Sequence, residues 1–312
     1  MSRRTVIVGL LVAVLIAAVA AVSLPMAPSA RQDATTPIAP ARPESSSRDF
    51  APSTTQTPGN PPSPLSGDER AALADSVSTA VSGHAPGSKV GLAVYDRLAE
   101  SVVAEINADE QFYTASVVKL LIVTDSLRDA GWALPRGQHR ENLVALLSRS
   151  ADWVASSLWA AGGGPVIVTE TAELIGLEAT VPPRIARQWE MTRTTPRDVL
   201  AVYDYLTTGM PEAAREFVLN ALGEATRVAA DGFDQFFGIP AALPDSEWAI
   251  KQGWMRVDNG IVLNTTGTVG PRGRYHVVLL TLQPPGTSFA TARSAVTAGV
   301  AALAPALTEA AG

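Results

Sequence analysis

Cysteine is absent from all 312 residues, which excludes disulfides, thiolate metal sites and a lipid carried on a cysteine. Lysine is nearly absent: Lys89, Lys119 and Lys251 stand against twenty-one arginines. The three histidines, His84, His139 and His276, are never at metal-ligand spacing, so no metal or other cofactor is expected. Basic residues form no cluster beyond Arg3-Arg4, and a net charge of −6 offers no attractive field to nucleic acid. Large apolar residues are sparse from Pro25 to Pro64, where Ile38 and Phe50 sit among Pro, Ser, Thr and Ala. Such a stretch cannot offset its ordering entropy by burial and reads as a flexible linker.

Before that linker, Arg3-Arg4 precedes an apolar run from Thr5 to Leu24, about 20 residues and so long enough to cross a bilayer. Basic residues at its start hold that end in the cytoplasm and deliver the rest outside. It reads equally as a retained anchor or a cleaved signal, with small residues at Ala20-Ala21 and Ser29-Ala30. The organisation predicted is an anchor or signal at 1–27, a linker at 28–64 and an exported folded domain at 65–312. With 46% hydrophobic residues the chain can bury a sizeable core.

In the folded domain, Gly67 to Val81 reads as a helix capped by Ser66. Lys89–Asp96 and Ser101–Ile106 read as a hairpin. A helix from about Ala115 carries Val117, Val118, Leu120, Leu121, Ile122, Val123 and Leu127, apolar around nearly its whole circumference and therefore central. Residues 140 to 223 are mostly helical, and one helix there has Thr195 as N-cap, Pro196 at its first position and Asp198 three residues after the cap. Strands return at 247–252, 260–266 and 275–282, and a helix from about Ala290 to Ala310 closes the chain. Strands at both ends of a helical middle predict an α+β fold: a sheet flanked by helices with an inserted all-α region.

Three short motifs carry chemistry. Ser116-Val117-Val118-Lys119 opens the central helix and sets Ser116 and Lys119 one turn apart on one face. A serine hydroxyl needs a base, and a desolvated lysine can serve because burial lowers its pKa. Ser150-Ala151-Asp152 follows, read as lying on a helix with Leu143, Val144, Leu147, Val154 and Leu158, and Lys251-Gln252-Gly253-Trp254 ends a predicted strand. A chain that otherwise uses arginine for surface charge keeps lysine where a compact amine able to lose its proton is needed.

The order Ser-x-x-Lys, Ser-x-Asp, Lys-x-Gly resembles the β-lactamase and penicillin-binding-protein superfamily, and the likeness runs from about Leu65 to the end. Thr194-Thr195-Pro196 is similar to the Thr-Thr-Pro that opens the helix after the omega loop of class A β-lactamases. The resemblance implies a β-lactamase/transpeptidase-like antiparallel sheet. It also implies Ser116 as acyl-forming nucleophile, Lys119 as its base, Ser150 as a proton shuttle and Lys251 as fixed positive charge. Backbone N–H groups of Ser116 and Trp254 would form the oxyanion hole, and Asp152, Gln252, Gly253 and Trp254 would contact substrate. The implied substrates are a peptidoglycan-type peptide, an ester or a β-lactam, with the membrane as partner of the N-terminal segment.

The sequence departs from that pattern in three places. Asp152 replaces the family's Asn, and its charge favours a protonated Lys119. Gln252 replaces a Thr or Ser that contacts substrate carboxylate. Between Gly176 and Thr194 the Glu-x-x-Leu-Asn segment that activates a deacylating water is missing, although Glu178 and Glu190 lie in the shortened loop, so efficient β-lactamase turnover is not expected. The departures also admit a non-catalytic binding or assembly module of the envelope. Trp153, Trp159, Trp189 and Trp254 are candidates for a groove or for core, Trp254 being placed at the mouth of the site.

Overall fold

A computed structural model describes residues 63–308. The expected anchor or signal and nearly all of the linker lie outside the described residues. Helix α1, Gly67–His84, opens on a capping box in which Ser66 Oγ accepts from Glu69 N–H and the Glu69 carboxylate accepts from Ser66 N–H. Strands β1, Lys89–Asp96, and β2, Ser101–Ile106, form the hairpin at the boundaries their alternation predicts. A short β3, Phe112–Tyr113, leads to a 3-10 turn at Ala115–Val118 and then to α2, Lys119–Asp129. The apolar sequence of that stretch is explained by burial: Val117, Val118, Leu120, Leu121, Ile122, Val123 and Leu127 are all core residues.

The helical middle contains α3, Gly137–Ser148, α4, Asp152–Ala161, and α5, Pro165–Ile175. After β4, Arg193–Thr194, which pairs with β3, come α6, Pro196–Asp204, and α7, Glu212–Gly223. Thr195 caps α6, its hydroxyl accepting from Asp198 N–H at 3.1 Å. A short α8, Ile239–Ala242, precedes β5, Trp248–Val257, β6, Gly260–Val269, and β7, Tyr275–Gln283. The chain then forms α9, Phe289–Ala301, and α10, Ala304–Thr308, so the closing segment is two helices, not the single one its composition suggested.

The main sheet is antiparallel with strand order β2-β1-β7-β6-β5. Alternate residues serve two cores. Ala93, Ala249, Val278 and Leu280 join the core shared with the helical middle, while Leu92, Val94, Ile250, Val277 and Leu279 join the core beneath α1 and α9. The result is an α+β domain in which helices cover both faces of the sheet; the region inserted between β2 and β5 is mostly helical, not all-α as expected, because it also holds the two-stranded β3–β4 ladder. Strand β5 occupies a sheet edge, continues five residues past the predicted end at Gln252, and lies against the turn that carries Ser116.

Candidate active site

Ser116 sits in the 3-10 turn and Lys119 is the first residue of α2, so the helix the sequence predicts from Ala115 begins with a tighter turn. Ala115, just before the serine, has φ +45°, an uncommon conformation for a non-glycine residue. The second motif is also rearranged. Ser150 stands in the break between α3 and α4 with φ +54°, so the single helix expected across this motif is two helices, and the break turns the serine toward Lys119. Left-handed non-glycine residues hold only where the surroundings over-determine them, and such residues cluster at functional sites.

Five side chains from three separate segments meet here. Lys119 Nζ lies 2.8 Å from Ser116 Oγ, 2.8 Å from the Ser150 carbonyl oxygen, 3.0 Å from Ser150 Oγ and 2.5 Å from Asp152 Oδ1. Lys251 Nζ donates to Ser150 Oγ at 2.9 Å and to its neighbour's carbonyl, that of Gln252, at 3.1 Å. Ser150 thus bridges two lysines. Of the four oxygens around Lys119, the Ser116 and Ser150 hydroxyls can accept from an ammonium or donate to the lone pair of a neutral amine, so both protonation states can be accommodated there.

Burial lowers the pKa of Lys119, whose side chain is fully buried, and outweighs the opposing charge and hydrogen bond of Asp152. Asp152 is 59% exposed at its side chain, where water weakens its hold on the amine. Lys251 is held well below lysine's ordinary 10.5, first by burial and then by repulsion from Lys119.

Glycine is required at 253. A Cβ there would lie 2.7 Å from the Thr114 carbonyl oxygen and 3.3 Å from Ala115 Cβ, so its absence lets β5 approach the serine turn. Asn264 on β6 braces the same turn from below, donating through Nδ2 to the carbonyls of Tyr113 and Thr114 at 2.9 and 3.1 Å. Beneath Lys251, the Thr266 hydroxyl donates to the lysine's own carbonyl oxygen at 2.6 Å and lies 3.0 Å from Tyr203 Oη.

No known family model matches the chain. The LppW proteins of Mycobacterium tuberculosis and Mycobacterium bovis, provisionally named as lipoproteins, are 34% identical to it over 227 residues, 71% of this chain and 71% of theirs. The chain belongs to the LppW family. Among solved structures, a β-lactamase from Burkholderia vietnamiensis superposes with a TM-score of 0.63 at 18% identity, covering 80% of this chain and 99% of the enzyme. A class A β-lactamase from Mycobacterium abscessus gives 0.61 at 20% identity, covering 75% and 98%. This LppW-family chain therefore has the class A β-lactamase fold, as a divergent member.

Ser116, Lys119, Ser150, Asp152 and Lys251 converge in this member of the LppW family. Gly253 is placed as a packing position against the serine turn. Gln252 points elsewhere: its amide nitrogen donates to the carbonyls of Gln235 and Phe237 at 3.1 and 2.6 Å, and the side chain is buried. The alternation of β5 explains this, because adjacent residues point to opposite faces. Trp254 is half-buried, its ring centre 6.0 Å from Lys251 Nζ.

Two further neighbours of the site are Trp189, expected only as a candidate for groove or core, and Asp231, which the sequence did not single out. Trp189, in the shortened loop, is buried with its ring 4.8 Å from Lys119 Nζ, and Asp231 accepts from Trp254 Nε1 at 2.9 Å. Both arrive through loops whose path has no local sequence signal. Glu178 is exposed and Glu190 half-buried; Glu190 acts on Lys119 through its charge, favouring the protonated amine.

Proposed function

We propose that this LppW-family protein is an exported serine hydrolase or acyltransferase of the cell envelope that works through an acyl-Ser116 intermediate. The observation that carries the reading is the buried Lys119 amine 2.8 Å from Ser116 Oγ and 3.0 Å from Ser150 Oγ. Ser116 Oγ attacks the acyl carbon while its proton passes to Lys119. The tetrahedral intermediate collapses as the leaving group takes a proton from Ser150, which is reprotonated by Lys119, and Lys251 holds Ser150 in register. Water or an acceptor nucleophile then attacks the acyl carbon and gives its proton to Lys119, and as the acyl–oxygen bond breaks Lys119 returns that proton to Ser116 Oγ, restoring the free hydroxyl and the neutral amine.

The backbone N–H groups of Ser116 and Trp254 are the donors the family likeness offers for the oxyanion. A peptide, an ester or a β-lactam could acylate Ser116. With no Glu-x-x-Leu-Asn segment to activate water, β-lactam turnover is slow. The apolar run near the N-terminus and the lipoprotein name of the mycobacterial relatives support an extracytoplasmic, membrane-attached protein. Because this sequence has no cysteine, attachment rests on the apolar run itself.

The contact between Asp152 and Lys119 favours a second reading, in which the pair has become a structural ion pair and the fold serves as a binding or assembly module. Incubation of the full chain with a fluorophosphonate and, separately, a fluorescent penicillin, followed by intact mass, separates the two. An adduct absent from Ser116→Ala supports the enzyme. No adduct with either probe in folded protein supports the module.

A further inference from the structure

Residues 226 to 237 form a small hairpin closed by a bridge between Val228 and Asp234, with Asp231 and Gly232 at its tip. The hairpin is fastened to the turn that carries Ser150. Thr226 N–H donates to the Ser148 carbonyl at 3.0 Å, Ala230 N–H to the Arg149 carbonyl at 2.7 Å, and Gln235 Nε2 to the Ser148 carbonyl at 2.9 Å. Asp231 is thereby fixed beside the reacting groups. Its carboxylate accepts from Trp254 Nε1 and from Phe233 N–H, each at 2.9 Å, and the residue remains exposed. The Trp254 indole stacks on Phe233, ring centres 4.8 Å apart and planes 11° from parallel, giving a rigid aromatic wall next to a carboxylate.

The two lysines of the site are poor receptors for an incoming anion. Lys251 is buried, and its amine is committed to Ser150 Oγ and the Gln252 carbonyl. Lys119 is enclosed by four oxygens. Gln252 has turned its amide N–H groups to two backbone carbonyls. Asp152 and Asp231 act on Lys251 through their negative charge, against the repulsion from Lys119. A ligand carboxylate approaching this end meets Asp231 and Asp152 at the surface, with the buried lysine amines behind them. A ligand cation meets the two carboxylates, beside the part of the indole left exposed by Phe233, which stacks on one face, and by Lys251 Nζ, 6.0 Å from the ring centre.

We infer that Asp231 and the Trp254–Phe233 wall select acyl donors that carry an alkylammonium group and lack a carboxylate beside the scissile bond. The inference rests on the acyl-Ser116 reading. The competing determinants are Arg149, exposed beside Ser150, and Arg293, whose guanidinium lies 5.9 Å from the Phe233 ring centre and pairs with Asp234; either would draw an anionic substrate if it governed the mouth.

Three p-nitrophenyl esters of similar length test it on the full chain at low salt: the neutral hexanoate, the cationic 4-(trimethylammonio)butanoate and the anionic glutarate. The expected kcat/KM favours the cationic over the anionic ester by about tenfold, as two nearby carboxylates imply, and the ratio shrinks in high salt. Asp231→Asn lowers that ratio severalfold, whereas Glu173→Gln, a charge change on the exposed side of α5, leaves it unchanged. Equal rates, or an anionic preference that Arg149→Gln or Arg293→Gln removes, overturns the inference while leaving acyl-Ser116 chemistry intact. If no ester is turned over, the acyl-enzyme reading fails, and calorimetry of Ser116→Ala with the cationic and anionic esters still decides selectivity. Tighter binding of the cation supports the inference, and equal or tighter binding of the anion overturns it.

Discussion

Ser116 and Lys119 were recognisable from their spacing, because three residues is close to one helical turn and puts both side chains on one face. The partner that makes the pair chemical was recognisable by motif but not by conformation. Ser150 adopts φ +54° between two helices, and a serine in the left-handed region leaves no mark in a sequence that reads as continuously helical. Asp152 is the residue whose effect is easiest to isolate. Its carboxylate stabilises the Lys119 ammonium, so Asp152→Asn removes a force that keeps the base protonated and the amine's pKa falls further. The expected outcome is faster labelling of Ser116 by a neutral fluorophosphonate at pH 7, measured as a second-order rate. An unchanged or slower rate would mean that Asp152 orients the amine more than it charges it.

Elements were legible where their residues repeat with a clear period. The boundaries of β1 and β2 follow from alternation, and the start of α6 from Thr195, Pro196 and Asp198. The length of β5 was not legible: the expected strand ended at Gln252, and the ladder runs on to Val257. Gly253 is the position at which the strand touches the serine turn, with room for no Cβ beside the Thr114 carbonyl. Gly253→Ala should push β5 from that turn, costing about 1 to 3 kcal/mol of stability by overpacking. Ser116 labelling should fall by far more than the folded fraction does, as read by labelling and urea unfolding on the same sample. Equal losses would make Gly253 a residue of fold alone.

The shortened loop between α5 and α6 is another element that periodicity could not place. Asp198 holds it, accepting from Glu178 N–H, Ala179 N–H and the Thr180 hydroxyl at 3.1, 3.0 and 2.6 Å. That clamp fixes the loop on whose far side Trp189 covers Lys119. Asp198→Ala removes a buried acceptor of three donors and should cost about 2 to 4 kcal/mol. The loop should then become the first site of limited proteolysis. A wild-type cleavage pattern would show that other contacts hold it.

Across the whole domain, the sheet joins two cores, and one titratable group is sealed between β7 and the helical middle. His276 is fully buried on β7, its Nε2 3.3 Å from Thr207 Oγ1, and burial depresses its pKa from 6.5 to about 3. The unfolded chain takes up a proton that the folded chain refuses, so the contribution is complete above pH 6.5 and is lost as pH falls toward 3. Between pH 7.5 and pH 5 this loss is about 2 kcal/mol. In His276→Asn the decline in unfolding free energy over that interval should be smaller by that amount. An identical decline would place the proton uptake elsewhere.

The central claim at this scale is that three distant segments, 115–119, 148–152 and 251–254, have been assembled to hold a lysine that can be neutral beside a serine. The rate of Ser116 labelling by a neutral fluorophosphonate, followed against pH in wild type and in Lys119→Arg, tests it most directly. The account predicts a rate that rises with a midpoint below 10.5, lysine's ordinary value, and that is lost in Lys119→Arg, because a guanidinium cannot give up its proton. A midpoint at or above 10.5, or labelling that survives in Lys119→Arg, would contradict it.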